Sequence, residues 1–569
     1  NIEGSGSNTL TTGGLTVFSG GATLNGLSAA NFGGRTEFAG DDIDLCNTCV
    51  FLTGDAEWTG GGSFNLQSDS VGSEIVIETG GSLALTGAGA RSIRGIGDNN
   101  RIVNRGELRV ALDAGSDALE ITDSLFQNVR GASVRLDTGT LRSDLNGSLS
   151  GNSLRGGDWF VGDAGTVDTM GVQIEAIDVT VELDGAGSAF DAVNALERIA
   201  GRGSFRVMNG RDFTTAVGVA FDVDGELEVG VGSAFMVTDS LMNLDAGTLD
   251  GGSFIVGGEL GLMNGGAIGT LEAGLTLKGA GTVSDGSGGD LLAGLGRIGN
   301  AGVFGLRDGA AFTTVSDLAL DGTLDIGTGS AVDVRGNLSA FNAGVFGDAD
   351  LRVRGELIAD NSRLEVVEGT LFVGLDGRIL ARDGLGTVDG LSFLRQVRAG
   401  GSIELAEGRD LDVRPAGNTV EIEGDLLLGA TSGAGPDALL GSVFTVDGIT
   451  FDAGSSLTTT IAAVDDFGRV DALSAMFGGG VPGETAGDLV IELADGYSAS
   501  FGDRFLLVAA GSVLGDGFAT ITVDGLLPAG FFFEQFVDAT GVGVRVVPAP
   551  AGLTFIGAGW MIAVRRRRG

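Results

Sequence analysis

One short pattern keeps returning from Asn1 to about Leu428. A glycine is followed by a polar or small residue, a leucine, a second polar residue and often valine or isoleucine. GELRV from Gly106, GELEV from Gly225, GTLDI from Gly322, GELIA from Gly355 and GTLFV from Gly369 are examples. Period-two alternation over so few residues, bounded by glycine, predicts short half-buried strands rather than helices. The pairs Gly106/Gly139, Gly225/Gly258, Gly322/Gly355 and Gly336/Gly369 are equally separated. That separation is also the ankyrin period, but ankyrin units need two helices each, and helical patterns are scarce here. Asp191 to Ala200 is the one stretch that suits a short helix, and Gly201 and Gly203 follow it at once. Short strands, glycine turns and a recurring step predict a parallel β-solenoid, each coil stacking inward Leu, Val, Ile and Phe on the next.

Composition fits a coil that turns often around a dry interior. Glycine supplies 105 of 569 residues and proline only 6, which excludes collagen-like and proline-rich chains. Apolar residues make 43%, enough to bury a core despite the charge. Glycine supplies the positive φ that sharp corners are expected to need. The 31 phenylalanines, against 3 tryptophans and 1 tyrosine, suit a stacked interior.

The formal net charge is −41 and histidine is absent. So acidic a surface repels nucleic acid and suits weak, delocalised calcium binding; no other cofactor and no defined metal site are expected. Without histidine, Ser-His and Cys-His nucleophilic systems are excluded. Carboxylate pairs for glycoside hydrolysis, or an arginine base beside calcium, stay open. Against them stands the scarcity of amphipathic rings. Outside the tail these are Trp58, Trp159 and Tyr497, and the two tryptophans read as core or corner packing. GLGRIG, Gly294 to Gly299, fits a dinucleotide-binding string, but no helix pattern follows it. The acids of DDIDL from Asp41 and DVDGELEV from Asp222 match no calcium loop and read as solvated turn acids.

Cys46 and Cys49 sit either side of Asn47-Thr48. A small disulfide across that turn and a pair of reduced, partly buried thiols are equal alternatives. Two thiolates make half of a usual zinc set, so zinc is not expected.

The composition changes near Gly429. Residues 429–440 read as a linker. Residues 441–547 hold longer strand patterns with turns at Asp495-Gly496, Asp524-Gly525 and Pro528 to Gly530. They predict an antiparallel β-rich cap and stalk over the open solenoid end. Residues 548–569 differ again. Pro548 and Pro550 make a turn, an apolar run extends from Ala551 to Val564, and Arg565, Arg566, Arg567 and Arg568 end the chain. The run predicts a short hydrophobic helix, below the roughly 20 residues of a comfortable membrane span. Snorkelling arginines make a thin span feasible, with the basic end held on the cytoplasmic side. The chain begins at Asn1 without methionine, so a removed leader or a fragment is expected.

Val547, Pro548, Pro550 and Ala551, followed by the apolar run and Arg565 to Arg568, resemble the PEP-CTERM family of bacterial sorting signals in its VPxPA-type variant. Ala549 departs from the glutamate of the family's namesake motif. The resemblance implies recognition by an exosortase, a membrane protease-transpeptidase, and delivery to the cell surface or extracellular matrix. DLVIELADGYSASFGDRFLLVAAGSV, from Asp488, resembles the segment that commonly precedes such tails. Leu15 to Leu66 resembles the degenerate repeats of bacterial β-helical surface proteins and autotransporter passengers, without the strand series of a membrane barrel.

The expected protein is therefore all-β. A parallel β-solenoid over 1–428 leads through a linker to a β-rich cap and a hydrophobic tail that anchors it in the membrane, transiently or stably. Its expected role is an exported, non-enzymatic structural or adhesive element. The expected partners are an exosortase and exopolysaccharide or other cell-surface glycans. A carbohydrate-active β-helix enzyme, a lyase or glycoside hydrolase, is the rival.

Overall fold

The computed structural model describes Ile2–Glu3 and residues 9–549, except 70–71, 114–116, 343–344, 348–349, 360–363, 383–386, 407–408, 414–418, 430–441, 465, 480–483, 495–496, 526 and 529. The chain is all-β, a parallel β-solenoid of about 17 turns. It divides into two compact units, one of residues 1–268 with 273–292 and one of residues 269–272 with 293–569.

In the first unit the early coils have three faces. Thr9–Thr12, Ala29–Phe32, Cys49–Leu52, Glu74–Ile77, Arg101–Asn104 and Leu125–Asn128 stack in parallel on one of them. Thr16–Phe18, Thr36–Phe38, Asp55–Trp58, Ser82–Gly87 and Glu107–Leu112 stack on the second. Ala22–Asn25, Ile43–Cys46, Gly62–Gln67 and Arg91–Ile96 make the third. Register is nearly one to one, so like stacks on like. Leu24, Leu45 and Leu66 form one buried column, each leucine contributing about 1.5–3 kcal/mol by leaving water. Polar residues continue another column. Ile77 is followed in register by Asn104, and Asn104 by Asn128. Both amides are buried, and Asn104 Nδ2 donates to Asn128 Oδ1 at 2.8 Å and to Ser133 O at 2.7 Å. The interior amides thus satisfy one another and the corner backbone.

The second unit repeats the scheme. Val303–Arg307, Thr323–Ile326, Asp350–Val353, Thr370–Val373, Ser402–Leu405, Asp425–Leu428, Ser456–Ala463, Ala486–Leu493 and Phe518–Asp524 stack in parallel. Leu324, Leu351, Leu371, Ile403, Leu426, Leu457 and Leu489 form their shared inward column, all of them buried.

Corner glycines such as Gly131, Gly210 and Gly329 take the expected positive φ, but Gly322 and Gly355, which open the recurrent motif, are required for another reason. Gly322 lies in ordinary φ space, but a Cβ there would stand 2.1 Å from Gly299 O and 2.3 Å from Gly302 O; at Gly355 it would stand 2.0 Å from Ser330 O. The preceding coil's corner backbone occupies the side-chain position.

The parallel pairing also runs past the expected boundary at 441. Thr419–Ile422 pairs in parallel with Val443–Phe451, and that strand with Arg469–Phe477. Phe444, Val446, Ile449 and Phe451 turn inward and are buried, so the longer strands carry on the same interior. The antiparallel C-terminal region is smaller than its expected span. Gly541–Pro548 pairs antiparallel with Arg504–Ala510 and with Phe531–Asp538. From that hairpin Gln535 Oε1 accepts from Phe518 N at 3.0 Å, and its Nε2 donates to Asp516 O at 3.1 Å. One amide side chain thereby covers the backbone at the start of the strand Phe518–Asp524. The short helix expected in Asp191 to Ala200 is a 3-10 turn over Asp191–Ala195.

Candidate functional site

The residues singled out in the sequence fall in different places. Val547 and Pro548 end the last strand, opposite Phe532 and Phe531. Pro550, Ala551, the apolar run and Arg565 to Arg568 lie outside the described residues. Among the described residues no helix is long and apolar enough to cross a membrane.

Cys46 and Cys49 are free thiols. They belong to successive strands on different faces of the coil, with buried Thr48 at the corner between. Cys46 Sγ donates to Gln67 Oε1 at 3.5 Å, and Cys49 Sγ faces Glu74 Oε2 at 4.0 Å. Burial pushes both thiols above their ordinary value, helped by Asp44 at Cys46 and by Glu74 at Cys49.

Trp58 and Trp159 are buried in the interior. Trp58 meets Phe64 edge-on at 4.6 Å, and Trp159 Nε1 donates to Gly156 O at 3.1 Å. Tyr497 Oη donates to Asp503 Oδ2 at 3.2 Å, and burial pushes its hydroxyl up to about 12. In DVDGELEV, Asp222 and Asp224 both pair with Arg198. In DDIDL, Asp42 Oδ1 accepts from Ser63 N and Asp44 Oδ1 from Asn65, each at 2.9 Å. Neighbouring coils thus hold these acids. GLGRIG runs through the short strand Arg297–Ile298, with the strand Val303–Arg307 next.

Two features of the second unit escaped the sequence. Glu421, Glu423 and Asp452 bring carboxylate oxygens within 4.8 Å of one another. Glu421 and Glu423 flank the inward Ile422, while Asp452 N donates to Ile422 O from the next coil. Gln396 Nε2 donates to Glu421 at 3.0 Å and to Glu423 at 2.8 Å. Burial, then Asp452 and Glu423, hold the Glu421 carboxyl above its usual range; burial, then Glu423, do the same for Asp452. Clustered oxygens of this kind are chemically suited to a hard divalent cation. The sequence signal, acids at alternate positions in TVEIEGD, acquires meaning only once the coil register places Asp452 beside them.

The second feature is a groove of about 310 Å³ on the outer face of the long parallel sheet. Arg354, Phe372, Glu404, Leu427, Thr460 and Glu492 line it. The Arg354 guanidinium lies over the Phe372 ring at 4.3 Å, and Thr460 Oγ1 donates to Glu492 Oε2 at 3.1 Å. A shallower recess of about 350 Å³ holds Asp321, Asp350 and Glu368. Each of those acids is paired with an arginine, namely Arg297, Arg352 and Arg398.

The chain matches no protein-family model, and no curated protein matches it significantly.

Proposed function

We propose that the protein is an exported β-solenoid of the cell surface or extracellular matrix, acting as a structural or adhesive element and delivered through an exosortase-type C-terminal signal. The observation that carries the reading is the repetition of one small outward surface, coil after coil, on a buried interior column. Acids and arginines pair across successive coils, as in Arg101–Glu74 at 2.9 Å, Arg105–Glu78 at 3.0 Å and Arg297–Asp321 at 2.8 Å. Exposed pairs of this kind add little stability, about 0–1 kcal/mol each. They leave a solvated acidic surface that keeps the coils soluble and offers many weak contacts, through which valency raises affinity for a polymer. Divalent cations bridging to exopolysaccharide suit such a surface. The tail resemblance supports the route, since Val547 and Pro548 stand at the end of the last strand.

The test is the intact mass of the protein isolated from the surface of its own cells. Loss of everything beyond Val547 to Ala551 is the expected result. A mass that retains Arg565 to Arg568 would overturn the sorting part of the reading.

One observation favours a second reading, the carbohydrate-active enzyme. Arg354, Glu404 and Glu492 line a single groove, and two carboxylates with an arginine are the parts that glycoside cleavage or elimination uses. Release of reducing ends or unsaturated products from mixed polysaccharides, with and without calcium, decides between them.

A further inference from the structure

The groove on the second unit has a shape that follows from coil register. Val353, Val373, Leu405 and Leu428 are aligned inward on successive strands. The residues one position later are Arg354, Gly374, Ala406 and Gly429, followed in the next two coils by Thr460 and Glu492, themselves in register. Three consecutive coils therefore place glycine, alanine and glycine in one lane. Arg354 stands at one end of that lane, Thr460 and Glu492 at the other. The neighbouring lane holds Phe372, Glu404, Leu427 and Thr458 in register and makes the wall. Coils stack about 4.8 Å apart. Of the three small residues Ala406 and Gly429 line the groove, so its small-residue floor spans two coils, about 5 Å along the stacking direction, across the strands.

We infer that this trough is a binding site for an uncharged glycan chain lying along the stacking direction. The inference deepens the adhesive reading above and rests on it for the presence of glycans. A trough crossing identical steps suits a linear polymer. Half-buried Leu427 offers apolar surface to the C–H face of a sugar ring, while the Phe372 ring is buried beneath the Arg354 guanidinium and holds it in place. Arg354 only donates, Glu404 and Glu492 as carboxylates only accept, and threonine hydroxyls do both, which matches vicinal sugar hydroxyls. The groups are held in place before any ligand arrives. Arg354 is stacked on Phe372, and Glu492 accepts from Thr460, so little side-chain freedom is lost on binding. Charge decides the class of sugar. Two carboxylates face one arginine in a chain of net charge −41, so a uronate or sulfated polymer is repelled unless a cation intervenes.

The experiment titrates the purified full chain with cellohexaose and with polygalacturonate, each in EDTA and in calcium, by calorimetry. Cellohexaose should bind in EDTA, and Gly429→Leu should weaken it at least tenfold. Among the described residues a Cβ at Gly429 meets only Thr460 Oγ1 at 3.7 Å, so the first carbon of the new side chain fits, and unchanged hydrogen exchange at Ser402–Leu405 shows that the variant keeps its coil. Glu492→Gln, which adds no bulk, should weaken binding several-fold and serves if the first variant misfolds. Wild-type affinity in both variants, or no binding of cellohexaose in EDTA, overturns the site. Calcium-dependent binding of polygalacturonate alone overturns the site too, but leaves the adhesive reading standing. Cellohexaose binding without product release supports the site, and release of reducing ends replaces binding by catalysis.

Discussion

Gly322→Ala tests the claim that the recurrent glycine is a steric gap filled by the coil before it. The new Cβ would stand 2.1 Å from Gly299 O and 2.3 Å from Gly302 O, where carbon and carbonyl oxygen normally keep about 3.3 Å or more. Both contacts are backbone, so relief requires a shift of roughly 1 Å between stacked corners. Overpacking of that size costs about 1–3 kcal/mol, net of the roughly 0.4–1 kcal/mol by which a stiffer unfolded chain favours folding. The interface between coils is a nearest-neighbour contact, so the damage should be local. Hydrogen exchange is the right assay, because a single unfolding free energy is ill-defined for a long array. Amides of Thr323–Ile326 and of its partners Val303–Arg307 and Asp350–Val353 should exchange about 5- to 150-fold faster, the factor that 1–3 kcal/mol gives. Those of Ala486–Leu493 should not change. Gly454→Ala is the control: a Cβ there meets only Glu423 O at 4.0 Å, and it should be neutral or slightly stabilising. Equal protection in the two variants would refute the steric argument and return these glycines to ordinary turn formers.

Three further outcomes follow from the interior and the acid cluster. Asn104→Leu should cost about 1–3 kcal/mol by stranding the Asn128 carbonyl and the Ser133 backbone, read as lost protection at Leu125–Asn128; an unchanged exchange rate there would count against the amide pair. In the Glu421, Glu423 and Asp452 cluster, Glu421 and Asp452 have folded-state carboxyls above their unfolded values. The folded coil therefore binds protons more tightly, and stability at Thr419–Ile422 should fall as pH rises from the ordinary carboxylate range, near 4, through the raised folded values. Glu421→Gln should flatten that slope; a slope equal to the wild type would show that the cluster does not cause it. At neutral pH, millimolar calcium should restore protection to the wild-type coil and not to Glu421→Gln, and equal restoration in both would place the cation elsewhere.

How much was legible depended on how far apart the interacting residues are in sequence. The strands opened by Gly106, Gly225, Gly322, Gly355 and Gly369 could be read locally, because alternation and glycine lie within a few neighbours. The burial of Trp58 and Trp159 could be read from their small and apolar flanks. The extent of the solenoid beyond 441 could not. Strand length changes there, and length carries no direction of pairing; only the inward alignment of Phe444 to Phe451 on the previous coil reveals the parallel register. The thiols were undecided because a two-residue corner brings Cys46 and Cys49 close in sequence while the coil turns them onto different faces.

The groove and the acid cluster show the same division. Ala406 and Gly429 are unremarkable singly and become a trough only when stacking sets them side by side; Asp452 joins Glu421 and Glu423 in the same way. By itself the sequence determined that the chain would form short glycine-bounded strands with one dry face. That follows from period-two alternation and from backbone sterics, both properties of adjacent residues. The tertiary structure alone decided which outward residues meet. Parallel stacking pairs positions some twenty to thirty residues apart, and a one-residue slip in any corner would turn every side chain of the next strand to the opposite face.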